Sequence, residues 1–158
     1  MEIRVPQGES RVLHFVLTPR LPVNGKADDW AFVCTSESSG AHVTELDVAF
    51  SKSTPLAERR NEAAILVVEI DRLVQTSTTA WRFHSPGFLF AHGHGDVKNC
   101  FDFSLGADQT TMVTRITCLD DVGENFKFSF AAMRTDMDSG ACDIYASADP
   151  QGSVGRPD

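Results

Sequence analysis

The residues best equipped for chemistry lie in Phe90-Ala91-His92-Gly93-His94-Gly95-Asp96. Neutral imidazole and carboxylate are ligands for zinc or another divalent metal. On an extended backbone alternate side chains share a face, so His92, His94 and Asp96 would point the same way. Gly93 and Gly95 would let the backbone turn or approach closely. His84, Cys100 or Asp102 could supply a fourth ligand. The leading reading is a glycine-rich loop whose histidines are solvated. The alternative is a metal site at His92, His94 and Asp96, and with it a small metal-dependent enzyme. A strand continuing from Phe88 and Phe90 would instead aim both imidazoles at the core, where their nitrogens need partners.

Other chemistry finds less support. Asp136-Met137-Asp138-Ser139-Gly140 resembles the start of a calcium loop, but an EF-hand needs glycine at position 6 and an acid at position 12. Counted from Asp136, those positions hold Ala141 and Ser147. A looser calcium site using Asp120, Asp121 or Glu124 is the alternative, and a hairpin turn is the simpler reading. There is no Gly-x-Ser-x-Gly elbow and no glycine-rich phosphate loop. Adjacent carboxylates such as Asp28/Asp29 diverge on an extended backbone and suit turns better than an acid–base dyad.

The four cysteines, Cys34, Cys100, Cys118 and Cys142, form no Cys-x-x-Cys pair, so no zinc knuckle or thioredoxin-type motif is expected. Cys34, Cys118 and Cys142 sit in apolar runs and read as small buried hydrophobes. Met1–Pro6 lacks a basic segment leading into an apolar one, which predicts a cytoplasmic protein with reduced thiols.

A chain of 158 residues is one domain's length and can bury a sizeable core. The net charge is −8, with most of the excess acid after residue 60. No basic stripe is present, so neither nucleic acid nor an anionic membrane is an expected partner. The longest apolar run, Ala63–Val68, is far shorter than a membrane span requires.

The elements that must position these residues are strands. Phe88/Phe90, Phe101/Phe103 and Phe126/Phe128/Phe130 alternate with period two, and Trp81/Phe83 does the same. Turn signals separate them at Ser85-Pro86-Gly87, Gly106-Ala107-Asp108 and Asp138-Ser139-Gly140. The pattern predicts strands near 79–84, 87–91, 98–105, 110–119, 125–134 and 141–147. Earlier strands are expected near 12–18, 29–35 and 42–51. Residues 55–75 are ambiguous: Ala63, Val67, Ile70 and Val74 fall at helical spacing, yet 64–70 also reads as a buried strand. A short polar helix or loop over 55–62, with Glu58–Glu62 solvated, followed by a strand, reconciles the two. Residues 1–60 are expected to supply strands or an extension packed on a sandwich formed by 61–150, with 151–158 a mobile tail.

Trp81-Arg82-Phe83-His84-Ser85-Pro86-Gly87-Phe88-Leu89-Phe90, the Phe126–Phe130 strand and the closing Asp149-Pro150 resemble the small bacterial DP-EP family over roughly residues 65–158. This chain ends Arg156-Pro157-Asp158, where the family's pattern ends on Glu-Pro. The resemblance implies an immunoglobulin-like β-sandwich with no assigned activity. Together these readings predict an all-β, immunoglobulin-like antiparallel sandwich without a cofactor. Its expected function is a non-enzymatic binding or assembly module, with a protein partner or self-association through a sheet edge. A metal-dependent enzyme, with zinc or another divalent ion, is the alternative.

Overall fold

The computed structural model describes residues 1–37, 40–91, 95–121, 123–148 and 150–157. Its strands, in chain order, are β1 (Glu2–Val5), β2 (Ser10–Thr18), β3 (Ala31–Cys34), β4 (Glu45–Phe50), β5 (Ala63–Ile70), β6 (Thr79–Phe90), β7 (Phe101–Leu105), β8 (Thr111–Ile116), β9 (Glu124–Asp136), β10 (Cys142–Ala146) and β11 (Gln151–Gly155). They form the all-β sandwich that the period-two pattern predicts. One sheet runs β3-β2-β5-β8-β7. The other runs β1-β4-β11-β9, with β6 and β10 also paired to β9.

The sheets are mixed rather than purely antiparallel. β1 with β4, β4 with β11, and β2 with β5 are parallel pairs. The cause is that consecutive strands change sheet: β1 leads into β2 across the sandwich, and β4 leads into β5. Neighbours within a sheet therefore come from distant parts of the chain, the crossover that parallel pairing requires.

Alternation fills the core from both sheets. Phe126, Phe128 and Phe130 of β9 are each 1% exposed, as is Phe15 of β2. Phe88 stacks on Phe128 with ring centres 4.4 Å apart and lies 5.6 Å from Phe101 and 5.0 Å from Phe103. Phe15 stacks on Phe32 at 4.5 Å. Burying one such ring stabilises a fold by about 2 kcal/mol. The phenylalanines are thus core residues, as their lack of a polar tip suggests.

Several local expectations need correction. The strands expected at 79–84 and 87–91 are one strand, β6, with a register shift between Phe83 and Phe88. The segment 98–105 begins in a 3-10 turn, Gly95–Cys100, and becomes strand only at Phe101. In the ambiguous stretch, a single 3-10 turn at Arg59–Asn61 precedes β5. β5 lies between β2 and β8, with Leu66, Val68 and Ile70 buried on the inner face and Ile65 and Val67 half-buried on the outer one, so its apolar residues run on almost without a break and imitate helical spacing.

The largest correction concerns the chain ends. Residues 151–158 were expected to be mobile, yet β11 lies between β4 and β9 in the middle of its sheet. The glycines that suggested mobility are there for close packing. A Cβ on Gly152 would come within 2.6 Å of the Phe126 ring and also strike the Leu46 carbonyl. Of the two readings of residues 1–60, strands or a packed extension, the structure shows strands: β1–β4 contribute to both sheets.

Candidate functional site

Of the predicted metal ligands, His92 and His94 lie outside the described residues. Asp96 is exposed, in the first turn of the 3-10 segment that leads into β7. His84 is exposed on β6 and Asp102 is exposed on β7. Among the described residues, no three His, Cys, Asp or Glu side chains gather where they could hold a metal ion.

The acidic loops have structural partners. Asp136 Oδ1 accepts from the backbone N–H groups of Asp138 at 2.9 Å and Ser139 at 3.0 Å, closing the β9–β10 turn. These bonds hold its carboxyl below the usual carboxylate range. Asp121 accepts from Arg59 Nη2 at 2.6 Å. Of the candidate calcium residues, Asp121 and Asp136 are thus engaged within the chain.

Charge is concentrated instead in a buried clasp that the sequence does not reveal. Arg156, directly after β11, donates from Nη2 to Glu62 Oε2 at 2.7 Å, and both side chains are fully buried. Its Nε and Nη2 also donate to the Cys118 carbonyl at 3.0 and 2.7 Å, and its Nη1 donates to the Ser51 carbonyl. The guanidinium carbon sits 5.4 Å from the centre of the Phe50 ring. Glu62 Oε1 accepts from Gly8 N–H at 2.9 Å and from Thr54 Oγ1 at 2.5 Å. Arg59, 5% exposed, donates to the carbonyls of Thr54 and Leu119. Glu58–Glu62 was expected to be solvated, but Arg59 and Glu62 are buried because the chain end folds back over them. Burial acts to raise the Glu62 carboxyl. The hydrogen bonds from Thr54, Gly8 and Arg156, with the charge of Arg156, outweigh it and leave the group below its ordinary value. A carboxylate so fully engaged is a structural tie rather than a proton-transfer group.

One open edge of the sheet that contains β9 lies at β10. β10 and β11 lie end to end along β9: β11 pairs with residues 124–127 and β10 with residues 131–135. Two bonds anchor the connector between them, from Ser147 N–H to the Phe130 carbonyl and from Phe128 N–H to the Pro150 carbonyl. β4 covers the far side of β11, but among the described strands β10 pairs only with β9. Tyr145 turns inward, its ring 5.7 Å from that of Trp81. The alternate residues Cys142, Ile144 and Ala146 are exposed, with Ile144 at 57%. Cys142, expected to be buried, is thus on the surface, because strand alternation puts it on the face opposite Tyr145.

Three other edges, β1, β3 and β6, are blunted, while β7 at the end of the other sheet is also paired on one side only, with β8. β1 has four residues and carries Glu2 and Arg4, which pair with each other at 2.8 Å. Beside β3, Val43 N–H donates to the Phe32 carbonyl, so residues 42–43 cover part of that edge. β6 is interrupted at Ser85–Gly87 by Pro86.

The DP-EP family's sequence profile matches residues 1–156. That is a much longer stretch than the resemblance over 65–158, and it takes in β1–β4 as well as β11. No curated protein matches the chain. Among solved structures, the inclusion body protein PixA from Burkholderia cenocepacia J2315 is similar to 94% of this chain over 96% of its own. The sequence identity is 8% and the TM-score 0.49.

Proposed function

This chain belongs to the DP-EP family, and we propose that it is a non-enzymatic assembly module that binds a second copy of itself through the open edge of β10. The observation that carries the proposal is the pairing of β10: a strand bonded on one side only, with Ile144 at its centre and 57% exposed. Unpaired strand edges are templates for another strand. A two-fold axis at Ile144 would pair two β10 strands antiparallel and close the assembly as a dimer. Ile144 would then face its own copy, Cys142 would face Ala146, and Asp143 would face Tyr145. No like charges would be directly opposed, which cross-strand pairing requires.

The net charge of −8 opposes approach of two copies. Association should therefore strengthen with added salt, as long-range repulsion is screened. Sedimentation velocity over a range of protein concentrations tests the reading. A monomer–dimer equilibrium is expected for the native chain, and a monomer for Ile144→Lys with an unchanged melting temperature. Equal masses for the two proteins at every concentration would reject it.

A further inference from the structure

We infer that a cleft beside the start of β6 binds a small zwitterion, its carboxylate held by Arg72 and Arg82 and its ammonium group by Glu69. The inference goes beyond pairing at β10 and does not depend on it. Three segments line the cleft, whose volume is about 390 Å³: the end of β5 with the turn after it, the start of β6, and the β7–β8 hairpin. That volume lies within the range of small-molecule sites.

Hydrogen bonds tie the three segments to one another. Ile70 N–H donates to the Thr110 carbonyl at 2.9 Å, and Phe83 N–H donates to the Gln109 carbonyl at 2.7 Å. Gln75 clamps the backbone of Trp81, donating from Nε2 to its carbonyl and accepting from its N–H at Oε1, each at 2.7 Å. Asp71 holds the turn itself. Its Oδ1 accepts from Leu73 N–H and its Oδ2 from Thr18 Oγ1, both at 2.9 Å. The backbone that carries Arg72 and Arg82 is thus fixed before a ligand arrives, which lowers the cost of binding.

The charged groups of the cleft divide into one that is used and three that are open. Asp108 Oδ1 accepts from Thr110 N–H at 3.1 Å and belongs to the hairpin turn. Arg72, Arg82 and Glu69 line the same cleft, yet their charged groups have no hydrogen-bond or ion-pair partner among the described residues. Arg82 is half-buried, so its guanidinium is partly withdrawn from water with no protein acceptor to compensate. A guanidinium is a planar fork matched to a carboxylate. Two such forks select an anion, and the Glu69 carboxylate disfavours a ligand that brings negative charge alone. A molecule with one carboxylate and one ammonium group, such as a free amino acid, satisfies both signs.

NMR titration of the full chain with glycine, L-leucine and L-glutamine tests this, read at the arginine Nε–H signals. At least one of the three should give saturable shifts at Arg72 and Arg82. For that ligand, the C-terminal amide and the N-acetyl form should each bind at least about tenfold more weakly, since each lacks one charge. Arg72→Gln and Arg82→Gln should weaken binding to a similar extent at an unchanged melting temperature. If Arg82→Gln does not fold, Arg72→Gln, at an exposed position, decides alone. In Glu69→Gln the amino acid and its N-acetyl form should bind equally. No saturable shift with any of the three probes would overturn the inference, as would undiminished binding by Arg72→Gln. N-acetyl forms that bind the native chain as tightly as the amino acids would also overturn it, leaving a plain anion site.

Discussion

The guanidinium of Arg156 meets the carboxylate of Glu62 at 2.7 Å with neither side chain exposed, joining the end of the chain to the residue that precedes β5. The pair fixes β11 in its slot and keeps the interior sheet position filled. Breaking a buried pair from one side leaves an uncompensated charge, which costs about 3–5 kcal/mol. Arg156→Met should therefore lower stability to chemical denaturation by that amount. Arg156→Met combined with Glu62→Leu should recover a large part of the loss, because no charge is then left alone. A double variant no more stable than the single one would show that the hydrogen bonds to Cys118 and Ser51 carry the effect instead.

The clasp also predicts an acid response. The Glu62 carboxyl is held below its ordinary value of 4.5 in the folded protein. As pH falls, the unfolded chain takes up this proton first. The stability contributed by Glu62 is thus fully present above the ordinary value and lost as pH drops through the lower folded one. Unfolding free energies measured from pH 6 to pH 3 should fall more steeply for the native chain than for Glu62→Gln. If Glu62→Gln does not fold, NMR titration of the Glu62 carboxyl in the native chain gives the same answer. A midpoint at or above 4.5 would contradict the account.

Thr114 Oγ1 is the one buried side-chain oxygen or nitrogen without a hydrogen-bond partner among the described residues. It points into the sandwich from β8, at 1% exposure. Thr114→Val keeps the shape and removes the unsatisfied hydroxyl, so it should stabilise the protein by about 1 kcal/mol. The expected rise in melting temperature is roughly 3 °C. A fall would mean that the hydroxyl has a partner in solution.

Much of the fold is legible in the sequence, and the reason is periodicity. Phe126, Phe128 and Phe130 alternate because one face of β9 is buried, and the same logic locates β6, β7 and β8. β11 escapes because Gly152, Ser153 and Gly155 carry little hydrophobic signal. Its burial comes from backbone closeness, which no pattern of side-chain types records. Arg59 and Glu62 read as solvated for a related reason: the partners that permit their burial, above all Arg156, lie elsewhere in the chain. The open edge at β10 is equally hidden, since alternation locates a strand without saying which neighbour it lacks. His92 and His94, the clearest chemical signal, lie outside the described residues, and Asp96 alone forms no site.

Thiol reactivity should separate the cysteines. Burial, with the neighbouring Cys118 thiol and the Glu124 and Asp120 carboxylates, pushes the Cys100 thiol up to about 11. At pH 8 only about one molecule in a thousand carries it as thiolate, and thiolate is the reactive form. Cys34 and Cys118 are buried, and Cys142 is exposed. A disulfide reagent should label one thiol rapidly in the folded protein and none in Cys142→Ser. Rapid labelling of a second thiol would place Cys100 in a different environment from the one described.

Hydrogen exchange at β10 tests the central claim most directly, because it reads the edge itself rather than the mass of the particle. Amides of β10 that do not bond to β9 should exchange quickly in dilute solution. They should gain protection as protein concentration rises, while those of the charged β1 edge stay unchanged. Ile144→Lys should abolish the gain. Exchange at β10 that is the same at every concentration, or a gain of protection at β1 instead, would contradict assembly through this edge.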